Sequence, residues 1–340
     1  MTDTQPQPID WSALHADRLK NRRLLVTGGA GFIGSHLTSA ILKAGGAVTV
    51  LDDLSTGDRR NVREPSDHYR FVEGTILDQA TIEQAADGCD ALIHLAALGS
   101  VPQSVAEPHR YHQVNELGTL RVLEAARAKG LRRVLLASSA AVYGNDPTLP
   151  KHEDMPVDPA SPYAANKAAG EAMLKAWARA YAPLDTVALR FFNIFGPGQN
   201  ANSAYAAAIA AFANRLSHGL PPRIFGDGEQ SRDFCEVSNV AHACLLAITH
   251  PDRLEGLPIN IACAEAISVN RLAQGMIDRF QRPDFTPAYE PERPGDVKHS
   301  LASIDRAKAI LGYQPLVDFD TGLARTCDWY LQQAQAPAAT

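Results

Sequence analysis

The segment "RLLVTGGAGFIGSHLTSAILKAGGAVTVLDD" (residues 23–53) decides the fold. An apolar run ends in glycines, a helical stretch follows and stops at Gly45, and a second apolar run ends in Asp52 and Asp53. Within it, "TGGAGFIG" (27–34) spaces Gly28, Gly31 and Gly34 three residues apart, directly after a strand and at the opening of a helix. In that context the glycines allow a tight turn and let the backbone approach a pyrophosphate at the positive helix N-terminus. Asp52 closes the next strand eighteen residues after Gly34. A carboxylate there accepts hydrogen bonds from both ribose hydroxyls and repels a 2′-phosphate, so the pattern favours NAD over NADP. Asp53 reads as a strand-end turn.

The same rhythm continues outward. "YRFVEG", "DALIHLAA", "RRVLLASS" and "DTVALRFFN" are further short apolar strands. Helical stretches separate them, including "YHQVNELGTLRVLEAARAKG" and a helix from residue 162 to about Ala180. Nearly continuous apolar strands alternating with helices predict an α/β fold with a doubly wound parallel sheet, whose ligands lie beyond the carboxyl ends of the strands. Past Asn193 the rhythm changes. The loop "IFGPGQNANS" leads to an alanine-rich helix and then to "PPRIFGDGEQSRDF". "LPINIA" reads as one more strand of the main sheet, and "SVNRLAQGMIDRF" and "SIDRAKAILGY" as helices of a smaller C-terminal lobe. Residues 1–9 and 334–340 read as disordered ends.

Bulk properties narrow the function classes. The 340 residues are 45% hydrophobic and 21% charged, an ordinary globular composition. A net charge of −6 leaves no basic footprint for nucleic acid. No apolar run is long enough to span a bilayer, and "MTDTQPQPIDW" lacks a signal-peptide layout. Five widely spaced cysteines without a Cys-x-x-Cys pair argue for reduced thiols in a cytoplasmic protein and against a zinc site. His109 and His112, with no carboxylate beside them, read as a solvated face.

A second stretch, "SPYAANK" (161–167), carries the candidate chemistry. Ser161 suits an N-cap and Pro162 the first helical position, which puts Tyr163 and Lys167 on one face of the first turns. A free phenol titrates near ~10 and is a poor base at neutral pH. A neighbouring ammonium and a positive nicotinamide favour the phenolate. "LLASSAAVYG" places Ser138 and Ser139 at the carboxyl edge of the sheet, where Ser139 can hold a substrate hydroxyl.

With these motifs in place, the chain resembles the extended short-chain dehydrogenase/reductase superfamily, and within it the NAD-dependent nucleotide-sugar epimerases. The likeness runs from about residue 20 to 330 and includes "TGGAGFIGS", "HLAA", "SSAAVYG", "SPYAANK", "LRFFNIFGPGQ", "SRDF" and "RPGDV". It implies a Rossmann domain of residues 20–192 plus about 233–263, and a UDP-sugar lobe of about 193–232 plus 264–332. It implies catalytic roles for Ser139, Tyr163 and Lys167, and NAD bound by Gly28, Gly31, Phe32, Ile33, Gly34, Asp52, Thr75, Ile76 and Ala96 together with Tyr163 and Lys167. The substrate contacts it implies are Gly99, Ser100, Ser139, Asn193, Gln199, Ala207, Arg232, Arg293, Asp296 and Ser300, with no metal. Arginines suit a diphosphate because the guanidinium fork grips phosphate oxygens in pairs. Two departures stand out: Thr75 replaces the family's adenine-contacting Asp, and Phe234 replaces a frequent tyrosine.

Dehydratases of the superfamily carry an acidic pair where this chain has Ala140 and Ala141, and alanine can donate no proton for elimination. The loop after Asn193 has no basic residue for a uronate carboxylate. What the resemblance leaves is reversible C4 epimerisation of a UDP-hexose through a 4-keto intermediate. "LGSVPQS" and "GDVKHS" resemble the UDP-GlcNAc/UDP-GalNAc subgroup, and Ser300 stands where a bulky tyrosine restricts enzymes of plain hexoses. The alternatives are a UDP-glucose/UDP-galactose or a UDP-glucuronate 4-epimerase, and, outside enzymes, an NAD-sensing Rossmann protein. Family precedent implies a homodimer through the helices containing 109–128 and 162–180.

Overall fold

Seven strands form one all-parallel sheet in the computed structural model, which describes residues 8–62, 67–200, 208–292 and 298–335. They are β1 (Arg23–Thr27), β2 (Ala47–Asp52), β3 (Tyr69–Glu73), β4 (Ala91–His94), β5 (Arg133–Ser139), β6 (Asp185–Phe191) and β7 (Leu257–Ile261), in the order β3-β2-β1-β4-β5-β6-β7. The order reverses between β1 and β4, which opens a crevice at their carboxyl ends. The principal helices are α1 (Trp11–Leu19), α2 (Phe32–Lys43), α3 (Gln79–Ala86), α4 (Gly118–Ala128), α5 (Pro162–Ala180), α6 (Ala208–Ser217), α7 (Val237–Ile248), α8 (Val269–Arg279) and α9 (Phe319–Gln335).

The strands bury both faces, as their continuous apolar runs require. On one face Leu24, Val26, Val48, Val50, Ile93 and Leu135 pack with Leu37 and Ile41 of α2 and with Val240 and Leu245 of α7. On the other, Leu25, Leu51, Leu92, Val134 and Leu136 meet Ile82 of α3, Val122 of α4 and Leu174 of α5. Each of these aliphatic side chains, fully buried, contributes about 1.5–3 kcal/mol. A third core, with Ile209, Phe212, Leu272, Met276 and Leu323, holds α6, α8 and α9 together as the C-terminal lobe. Its strands are short: residues 223–225 pair with 288–290, and 231–232 with 267–268.

The expected strands, including the return of "LPINIA" to the sheet beside β6, are present. Three details differ. α1 was not anticipated; it packs on α2 through Trp11 and Leu19 and is capped by Asp10, whose side chain accepts from Ala13 N. The helix expected over 111–130 begins with a π-helical turn at His112–Leu117 before α4, and "SIDRAKAILGY" forms a π-helical turn at Ala307–Leu311 closed by left-handed Gly312. Of the ends read as disordered, 1–7 and 336–340 lie outside the described residues, but Ile9 packs on the main core and α9 continues through Gln335. All five cysteines are free thiols. His112 is exposed and, contrary to the sequence reading, has a carboxylate beside it: Glu116, 2.9 Å from Nδ1.

Candidate active site

A cleft of about 590 Å³ lies along the carboxyl ends of β1, β2, β4 and β5. Its floor is the glycine turn. Gly28 has φ +72° and donates to Leu51 O at 2.8 Å. A Cβ on Gly28 would stand 2.6 Å from Ala96 N, so both conformation and close approach require glycine there. A Cβ on Gly34 would meet Gly28 O at 2.1 Å, which is why α2 can begin against the turn. Gly31, by contrast, faces open cleft, with only Gly28 O within 4 Å of the position a Cβ would take.

Asp52 ends β2 with a buried carboxylate that accepts from Ala30 N and Leu54 N, each at 2.9 Å. Burial raises its pKa and these amides oppose the rise. Asp52 lines the cleft, where a carboxylate can also accept from ribose hydroxyls. The turn, Asp52 and the lining Phe32, Ile33, Ile76 and Ala96 therefore fit a dinucleotide. Thr75 also lines the cleft, and its Oγ1 accepts from Leu77 N at 3.2 Å.

At the other end of the cleft stand Ser138, Ser139, Tyr163 and Lys167. The local sequence builds this end as expected. Ser161 caps α5 by accepting from Ala164 N at 3.2 Å, and Pro162 occupies the first turn. Gly170 lets the helix lie against β5, because a Cβ there would press on the Leu136 side chain at 2.8 Å. The buried Lys167 ammonium donates to Ala137 O at 2.7 Å and lies 5.8 Å from the Tyr163 ring centroid. Burial lowers the Lys167 pKa to about 8, with Glu171 opposing the fall. Burial also raises the Tyr163 pKa, the Ser139 hydroxyl opposing and Tyr111 adding to the rise. The phenolate is expected from the ammonium and a positive nicotinamide together, and the NAD-free protein holds the first of these only. The positive charge still missing is one a nicotinamide ring can supply.

Sequence reasoning missed what lies behind these groups. His94 of β4 is buried, with Nδ1 2.7 Å from Thr27 Oγ1 and Nε2 3.2 Å from Thr119 Oγ1. Burial, then the Lys167 ammonium, lowers its pKa to about 3, so the imidazole stays neutral. Ser138 donates to Glu171 Oε1 at 2.5 Å, and Arg190 grips Glu171 at 2.9 and 2.7 Å. Arg110 and Val114 at the cleft wall were also unmarked; Arg110 pairs with Glu107 at 2.9 Å. Glu171 had a legible signal, since it stands one turn beyond Lys167 as Lys167 stands one turn beyond Tyr163.

Asn193 links this cleft to a second cavity of about 300 Å³, lined also by Phe195, Phe212, Arg223, Gln230, Arg232 and Phe234. Asn193 Nδ2 donates to Asp233 O at 3.2 Å, which ties the end of β6 to the lobe. The remaining substrate-side expectations scatter. Gly99 lines the first cleft. Ser100 caps the helix at Val101–Ala106, its Oγ accepting from Gln103 N at 3.2 Å. Gln199 donates to Ile194 O at 3.1 Å and lines neither cavity. Ser300 is half-buried beside residue 231, donating through its amide to Ser231 O at 3.0 Å, and also lines neither cavity. Ala207, Arg293 and Asp296 lie outside the described residues.

The sequence pattern of the NAD dependent epimerase/dehydratase family matches residues 24–262, which span the glycine turn, Asp52, Ser139, Tyr163 and Lys167. The chain belongs to this family. It is an NAD-dependent enzyme of the extended short-chain dehydrogenase/reductase fold. A UDP-glucose 4-epimerase of Mycolicibacterium smegmatis is 38% identical over 317 residues, covering 92% of this chain and all of the relative. A solved UDP-N-acetylglucosamine 4-epimerase of Methanobrevibacter ruminantium, in complex with UDP-N-acetylmuramic acid, is 40% identical with a TM-score of 0.86, covering 92% of this chain and 99% of the other. A Thermus thermophilus UDP-glucose 4-epimerase, solved in complex with NAD, is 34% identical with a TM-score of 0.81, covering 91% and 99%.

Proposed function

We propose that this member of the family is a UDP-sugar 4-epimerase that interconverts UDP-GlcNAc and UDP-GalNAc. The observation that carries the reading is continuity: one cleft runs from Asp52 to the Ser139–Tyr163–Lys167 cluster and meets, at Asn193, a cavity lined by Arg232. A dinucleotide arm and a nucleotide-sugar arm thus converge on one phenol. Held by the glycine turn and Asp52, NAD would supply a reversible hydride acceptor for the sugar's C4. Tyr163 takes the O4 proton and gives it back, Ser139 holds the same hydroxyl, and the Lys167 ammonium stabilises the phenolate. Asn193 and Arg232 hold the diphosphate side while the 4-keto sugar turns over between hydride transfers, with Arg293 and Asp296 assigned to the same arm. Ala140 and Ala141, in the 3-10 turn after β5, offer no acid for elimination.

The acetamido assignment rests on the sequence likeness around Ser100 and Ser300, neither of which lines the two cavities, together with the 40% identity to the methanogen UDP-N-acetylglucosamine 4-epimerase. A UDP-glucose/UDP-galactose reading is favoured instead by the mycobacterial relative and by the alanines at 140 and 141. Proton NMR of the anomeric signals decides between them. The expected result is conversion mainly of UDP-GlcNAc; conversion mainly of UDP-glucose assigns the enzyme to plain hexoses, and conversion of neither refutes both. Ser300→Tyr should remove turnover of the acetylated sugar and spare UDP-glucose, and equal loss of both sinks the gatekeeper role. We also assign a homodimer through the helices containing 109–128 and 162–180, which light scattering at micromolar concentration tests.

A further inference from the structure

Behind the Tyr163–Lys167 face of α5 lies a buried charge that touches neither cleft. Glu171 is the next residue of the series Tyr163, Lys167, Glu171, each one helical turn from the last. Its carboxylate accepts three charge-assisted or short hydrogen bonds: Ser138 Oγ at 2.5 Å, Arg190 Nε at 2.9 Å and Arg190 Nη2 at 2.7 Å. Arg190 comes from β6, is itself almost fully buried, and stacks 4.7 Å over the ring of Tyr143. Tyr143 in turn donates to Asn260 Oδ1 at 2.7 Å. A buried ion pair is an expensive way to fill a core, and apolar side chains of similar volume often serve stability as well or better. Its placement here, between the strand end that carries Ser139 and the helix that carries Lys167, suggests a task other than stability.

We propose that Glu171 is a positioning residue for the proton transfer: anchored by Arg190, it fixes Ser138 next to Ser139 and holds positive charge on Lys167. This rests on the roles proposed above for Tyr163 and Lys167. The groups facing Lys167 are few. Tyr163 and Glu171 share its helix, the Ala137 carbonyl faces it from β5, and from β4 comes His94, both of whose ring nitrogens are engaged by threonines. Arg190 faces the far side of Glu171 and partly offsets its field. Among the described residues Glu171 is thus the one carboxylate in this group, and it opposes the loss of the lysine proton that burial promotes.

Glu171→Gln keeps the volume and the acceptor for Ser138 while removing the charge. The pH dependence of kcat then reports on Lys167, whose deprotonation sets the alkaline limb. In Glu171→Gln that limb should move down by about 1 unit, so that kcat above it falls about tenfold. KM should hardly change, because Glu171 does not reach the cleft. Should an unpaired Arg190 prevent folding, the double variant Glu171→Gln/Arg190→Met removes both charges and should move the limb in the same direction by a smaller amount, because Arg190 partly offsets Glu171. A folded variant whose alkaline limb coincides with that of the wild type, or whose kcat falls equally at every pH, overturns the proposal. Tyr163→Phe is run beside it: full activity there defeats the catalytic reading itself, whatever Glu171 does.

Discussion

Around Tyr163, each active group stands at the end of a sheet strand or in the first turns of a 19-residue helix, whereas around Arg232 the backbone is held by strand pairs of two and three residues. The first region draws its precision from the main core. Ser138 and Ser139 close β5, which is paired on both sides by β4 and β6, and Lys167 is buried against the Ala137 carbonyl. In the second, Arg232 spends part of its guanidinium on its own neighbourhood, donating through Nη1 to Ser231 O and Lys298 O at 2.9 and 3.2 Å. The contrast matches the two tasks. In the proposed mechanism, proton and hydride transfer would tolerate errors of only a few tenths of an ångström, while a diphosphate arm would have to hold its ligand as the sugar turns.

The contrast predicts where damage is confined. Tyr163→Phe should lower kcat by about 10³-fold or more, since it removes the proton acceptor itself, and should leave NAD binding and thermal unfolding near wild type. Stopped assays for activity and fluorescence of the bound cofactor check both halves. A loss of NAD binding as large as the loss of turnover would mean that the phenol is part of the cofactor site first and a base second.

How much of this was legible follows the same division. The strand–turn–helix spacing of Gly28, Gly31 and Gly34 and the cap of α5 by Ser161 are local signals, and the sequence reading of both agrees with the structure because no distant residue competes with them. Glu171 and Arg190 lie 19 residues apart and pair only once α5 packs on β6, so composition and periodicity do not announce their contact. The three substrate-side expectations at 207, 293 and 296 lie outside the described residues, and Ser300 is placed by a carbonyl of another segment, Ser231 O. α1 was passed over because its apolar face is narrow, Trp11, His15 and Leu19 at four-residue spacing.

The buried ammonium sharpens the comparison through stability. An unfolded lysine keeps its proton to about 10.4, whereas burial brings Lys167 to about 8 in the NAD-free protein. Between those values the unfolded state binds more protons, so stability rises with pH, and below about 8 the full cost of the buried charge is present. Unfolding free energies from urea titrations should therefore rise from pH 8 to 10 by up to about 2 kcal/mol relative to Lys167→Met, in which this slope is absent. Parallel slopes in the two proteins would show that Lys167 gives up no proton on folding.

The smallest expected effect belongs to the other region. Arg232→Lys keeps the charge and loses the planar fork, so it should raise the KM for the UDP-sugar several-fold, about 1 kcal/mol, with kcat within a factor of two or so. The loss should be the same for acetylated and plain sugars, because Arg232 lines the cavity beyond Asn193 and not the cleft that holds Tyr163. If kcat falls as steeply as KM rises, the diphosphate arm steers the sugar through the reaction as well as gripping it. The two regions would then act as one device, and the division drawn between them would hold for architecture alone.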